Sequence, residues 1–150
     1  RYTIGKGGDN MKRLMNASIV YGVLGLIGGV FYREFIKLNG FSTYTSLSVV
    51  HTHYFMLGMM FFLILALLEM NLHFMNDRTK RYVFFYHLGL NLTVIMLMIR
   101  GVIQVVYLNS LTTALNVVIA GIAGIGHLIL GISLIMILIS IKNAIINMAY

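Results

Sequence analysis

The chain has 150 residues, 59% of them hydrophobic and only 10% charged, where a soluble domain carries about a quarter charged residues. It holds no proline, cysteine or tryptophan, which excludes disulfides, thiolate-ligated zinc, iron–sulfur clusters and covalently attached c-type heme. The net charge of +7 comes from a few basic residues beside apolar runs, where they orient a membrane protein, so no nucleic-acid partner is expected.

Four apolar runs are each long enough to cross a bilayer, which takes about 20 residues. The expected fold class is therefore all-α: an integral membrane four-helix bundle. Residues 1–10 are polar and glycine-rich, and Met11-Lys12-Arg13 reads as a natural start. Residues 1–10 are thus expected to be a tail or an expression remnant, with 11–150 as the transmembrane domain. The first span is expected over about 14–35. It ends in Tyr32-Arg33-Glu34 without a small-residue cleavage site, so it reads as a retained span and not as a signal peptide. Ser18, Gly22, Gly25 and Gly29 fall on one helical face, with Gly25 and Gly29 as a GxxxG pair, a pattern that favours close helix–helix packing.

Asn39-Gly40 marks a turn. A second span follows over about 46–71, with Glu69 near its far end, too close to the interface to be a buried proton carrier. Residues 76–81 read as a short polar loop. The third span is expected over about 82–107, Leu108-Asn109-Ser110 as a short uncharged turn, and the fourth span over about 112–141, ahead of Lys142 and an amphipathic tail. Lys12 and Arg13, then Arg78, Lys80 and Arg81, and finally Lys142 fall at one end of the bundle. The other end has Arg33 and Lys37, offset by Glu34. The positive-inside rule then places both termini in the cytoplasm.

Ionisable residues inside a membrane are costly and point to function. His51 and His53 are two residues apart, about 200° on a regular helix, so they cannot both ligate one metal. Either they serve two sites, or one is a ligand and the other packs. Gly58 shares the face of His51, and Ala120, Gly124 and Gly131 share that of His127. Small neighbours leave room for a flat porphyrin; the alternative is that they let helices approach while the histidines bond across the gap. His51 lies about two turns into its span and His127 three to four turns into its own from the same side, so the two can meet across one iron. Arg100 shares a face with Thr93 and Gln104 about two turns from that end of the third span. Its guanidinium either meets an anion such as a heme propionate or snorkels to headgroups. His87, one turn before Asn91, reads as a hydrogen-bonding packing residue. His73 lies at the interface and receives no role. The methionines read as core filling, with Met56 or Met60 able to touch a cofactor.

The segment Val50-His51-Thr52-His53 through Leu57-Gly58-Met59-Met60-Phe61-Phe62 resembles the second helix of the heme-copper oxidase superfamily. It is nearest to the nitric oxide reductase branch, whose Leu-His-Thr motif supplies a low-spin heme ligand. Matched so, His51 is implied as ligand. The same segment resembles that superfamily's tenth helix, where a His-x-His pair followed by Gly serves two hemes, and in that register His53 is implied. Gly126-His127-Leu128-Ile129-Leu130-Gly131 resembles the tenth helix too, with Ile125 where the first histidine would stand. The copper-binding histidines have no counterparts, so the resemblance implies a low-spin electron-transfer heme and not a complete oxidase or reductase. From Met11 onward the chain also looks like a bacterial family of small four-helix membrane proteins of unknown function. Gly-Val-Phe-Tyr-Arg-Glu-Phe (29–35), the His-Thr-His segment, Ile-Arg-Gly (99–101) and Gly-His (126–127) carry that likeness.

The expectation is a b-type heme protein of the bacterial cytoplasmic membrane. A bis-histidine heme would draw on His51, His53 and His127, with Arg100, Gly58, Gly124 and Gly131 around it. It would transfer single electrons, with a quinone or another redox partner. Oxidase catalytic subunits resemble three four-helix arcs, so a homo-oligomer, dimer or trimer, is expected as well. The competing readings are a transporter or channel for a metal ion, anion or heme, and a structural or assembly subunit.

Overall fold

The computed structural model describes residues 6–107 and 112–149. The turn expected at Leu108-Asn109-Ser110 and residues 1–5 of the expected tail lie outside the described residues. Four helices make up the fold: α1 (Lys6–Leu38), α2 (Ser46–Leu72), α3 (Asp77–Val106) and α4 (Thr113–Ala149). All four are long and apolar enough to cross a membrane, and no strand occurs among the described residues. The architecture is the expected all-α membrane bundle. Large apolar side chains such as Leu26, Leu128 and Ile132 are exposed, as lipid-facing positions would be.

The helices run further than hydropathy suggests, and local hydrogen bonds explain why. Helix α1 begins at Lys6, so residues 6–10 are helical and not a tail. Asn10 is only 5% exposed; its amide donates to Glu69 Oε1 at 3.2 Å and to the Met75 carbonyl at 3.4 Å. Glu69 in turn accepts from the Met75 N–H at 2.9 Å. This carboxylate therefore ties the α2–α3 turn to the start of α1. Helix α3 takes in most of the expected polar loop. The Asn76 side chain caps it, accepting from the N–H groups of Arg78 and Thr79 at 2.9 and 3.0 Å, and Asp77 in its first turn suits the helix dipole.

Helix α2 is not uniform. A 3-10 turn (Ser46–Val49) leads into an α-helical turn (Val50–His53), a π-helical stretch (Tyr54–Met60) and a regular α-helix (Phe61–Leu72). Hydroxyls from neighbouring helices reach two carbonyls of the π stretch. Tyr86 of α3 donates to the Leu57 carbonyl, and Ser18 of α1 donates to the Met59 carbonyl, each at 2.8 Å. Such stretches occur frequently at functional sites.

The glycine face of α1 packs on α2 as its spacing implies: Gly22 faces Met59, Gly25 faces Phe55, and Gly29 faces His51. Gly58 returns the contact, since a Cβ there would lie 2.6 Å from Tyr21. Helices α3 and α4 touch backbone to backbone; a Cβ on Gly89 would fall 2.5 Å from the Leu130 nitrogen. Contacts are densest within the pairs α1–α2 and α3–α4. Helix α4 meets the rest of the bundle mainly through α3 and leaves its other side open.

Candidate functional site

On α2 the two histidines diverge as their spacing requires. His51 turns toward α1, near Gly28 and Gly29, with its ring stacked on Tyr32 at 6.4 Å and edge-on to Phe55. Its Nδ1 is buried without a hydrogen-bond partner. His53 turns toward α4, where its ring centre lies 6.2 Å from that of His127, with the planes at 84°. Depth along the spans pairs His51 with His127, and only the tenth-helix register offers His53; in the fold His51 faces α1, and it is His53 that lies beside His127.

The hydrogen bonds of this pair decide its chemistry. His53 Nδ1 donates to the Val49 carbonyl at 2.7 Å, and His127 Nδ1 donates to the Ala123 carbonyl at 2.8 Å. A carbonyl only accepts, so each Nδ1 carries the proton, and in a neutral ring Nε2 keeps its lone pair. Backbone bonds of this kind fix the tautomer and orientation of metal-binding histidines. With a metal–nitrogen bond of about 2.0 Å and roughly 1.1 Å from nitrogen to ring centre, two imidazoles sharing one ion between them would have centres about 6.2 Å apart. The observed 6.2 Å is compatible with this spacing and also with a direct edge-to-face ring contact. Among the described residues no group of three His, Asp or Glu side chains comes together, whereas zinc sites take three or four protein ligands.

Around His127 the surface is open. Nothing lies within 4 Å of a Cβ placed on Gly124 or Gly131, and a shallow groove of about 370 Å³ runs along His127, Gly131, Ile132 and Met136. These glycines are not explained by packing inside the chain. Gly58, by contrast, is filled by Tyr21 and belongs to the α1–α2 contact. Arg100 lies beyond the pair toward the end where α2 begins: its neighbour Gly101 accepts a hydrogen bond from Thr45 and meets Leu47. Its Nε is buried and unpaired. Of the face expected to accompany it, Gln104 accepts from the Ser46 N–H at 2.8 Å and Thr93 is buried. Met56 and Met60 are exposed.

His87 belongs to a separate buried cluster. Its Nδ1 lies 2.7 Å from the Tyr21 hydroxyl, which accepts from Asn91 Nδ2 at 2.9 Å. Asn91 also donates to the His87 carbonyl and accepts from the Tyr54 hydroxyl. With Asn91 donating to it, the Tyr21 hydroxyl is free to donate to His87. Phe62 stacks on the His87 ring at 4.4 Å. This cluster ties α1, α2 and α3 together at the level of the histidine pair. Only the His87–Asn91 spacing hinted at it, because the two tyrosines look like ordinary apolar positions.

A family model matches residues 11–144, most of the span of all four helices. The chain belongs to a family of proteins of unknown function, DUF2871. No curated protein and no solved structure matches it. The likeness to oxidase helices therefore stands on the short motifs alone, and the family assigns no role to the histidine pair.

Proposed function

We propose that this protein is a membrane-embedded b-type heme protein in which His53 and His127 would hold a low-spin heme. The observation that carries the proposal is the matched pair: two imidazoles on separate helices, both held with Nδ1 protonated, close enough that both could reach one iron. Heme supplies one-electron cycling between ferric and ferrous iron. The chain would hold the rings in place, exclude water, and offer Arg100 Nε to a propionate. Gly124 and Gly131 leave space for the porphyrin edge. His51 faces the other way and would not ligate this iron.

The function that fits is one-electron transfer, with a quinone or another redox partner, rather than a complete oxidase or reductase. The open side of α4 would leave the porphyrin edge facing lipid, which supports a homo-oligomer in which a second copy covers it. The distribution of Lys12, Arg13, Arg78, Lys80, Arg81 and Lys142 supports both termini in the cytoplasm of a bacterial cell, by the positive-inside rule.

An absorption spectrum of the purified protein, oxidised and then dithionite-reduced, tests the proposal. A Soret band with sharp α and β bands on reduction is expected. A colourless protein that also fails to take up added hemin would overturn it and favour transport of an ion or a structural role.

A further inference from the structure

A second site lies far from the histidine pair, at the end of the bundle where α1 begins and α4 finishes. The last turns of α4, the α2–α3 turn and the start of α3 enclose a cavity of about 560 Å³. Its polar lining includes Arg78 and Tyr82 from α3, His73 from the turn, and Asn143 and Asn147 from α4; Leu72, Met136 and Ile139 are among its apolar residues. Met136 also lines the groove that climbs toward Ile132 and Gly131. The face of α4 is therefore continuous, polar at its end and apolar toward the middle.

Depth and charge identify the occupant. Helix α4 has 37 residues, about 55 Å at 1.5 Å per residue, against a hydrocarbon core of about 30 Å. Asn143 lies 16 residues beyond His127, about 24 Å along the axis, and so reaches headgroup depth. Lys80 pairs with Asp77 at 3.4 Å, but Arg78 forms no ion pair among the described residues. A guanidinium offers a fork of donors that fits phosphate oxygens. The hydroxyl of Tyr82 and the amides of Asn143 and Asn147 add further donors. A neutral ring such as a quinone would leave the charge unmatched, and a soluble anion would leave the apolar groove unused.

We propose that this cavity binds the phosphate headgroup of an anionic phospholipid, whose acyl chain lies in the groove along Met136 and Ile132. The acyl chain would take the part of the groove from Ile132 to Met136 and the porphyrin edge the part at His127 and Gly131, so the two ligands would meet along one groove.

Native mass spectrometry of the full chain released from mild detergent tests this, alongside thermal unfolding with phosphatidylglycerol, phosphatidylcholine or inorganic phosphate added. One retained phosphatidylglycerol per chain is expected, with stabilisation by that lipid alone. Arg78→Gln and Asn143→Leu, on different helices, should each weaken binding, the first roughly tenfold. Arg81→Gln, an exposed charge outside the cavity, should not. The proposal is overturned if Arg78→Gln and Asn143→Leu both retain the lipid like the parent, or if Arg81→Gln loses as much. Equal stabilisation by phosphatidylcholine or inorganic phosphate would also sink it.

Discussion

His53 and His51 are the same residue type one helical turn or less apart, yet their surroundings differ in a way that chemistry can use. His53 has its Nδ1 anchored on Val49 and its ring beside His127, while His51 has an unpaired Nδ1 and a ring between Tyr32 and Phe55. Replacing His53 or His127 by Ala should therefore abolish the low-spin spectrum of the reduced protein. His51→Phe should keep its band positions, because it removes only a ring packed against aromatic neighbours. Loss of low-spin heme in His51→Phe with retention in His53→Ala would reverse the assignment. The sequence carried the candidates but not this choice. Helical spacing fixes the angle between His51 and His53; it does not say which neighbouring helix stands on which side. That depends on α2 and α4 both resting on α3, α2 through the contact of Leu47 with Gly101 and α4 through Gly89 and Gly126.

At the scale of the helix, hydropathy made four spans legible, because lipid demands long apolar stretches with internally satisfied backbones. The glycine face of α1 was legible for the same reason: close approach needs small residues at helical spacing. The π stretch of α2 was not. Tyr54-Phe55-Met56-Leu57-Gly58-Met59-Met60 has the composition of an ordinary span, and the hydroxyls that serve its carbonyls belong to Ser18 and Tyr86 on other helices. The start of α1 was hidden likewise, since the partner that buries Asn10 is Glu69, far along the chain. Tyr86→Phe and Ser18→Ala each remove one hydrogen bond between helices, and each should cost roughly 1 kcal/mol of stability, within the range for such bonds in membrane bundles. Unfolding followed by circular dichroism in detergent measures this. Unchanged stability in the double variant would show that the π geometry needs neither hydroxyl.

The molecule as a whole is two close-packed helix pairs, α1–α2 and α3–α4, joined by the short turn at residues 73–76 and by side-chain bonds such as Tyr54–Asn91 and Tyr86–Leu57. His53 belongs to the first pair and His127 to the second. A bound iron would thus act as a staple between two hairpins, each able to enter a bilayer as a unit. Produced as separate chains divided within residues 73–76, the two halves should co-purify when heme is supplied. They should separate far more readily when heme is withheld, or when either histidine of the pair is replaced. In that light a prosthetic group is also a quality check: a chain whose second hairpin went in wrongly would have only one hand on the metal.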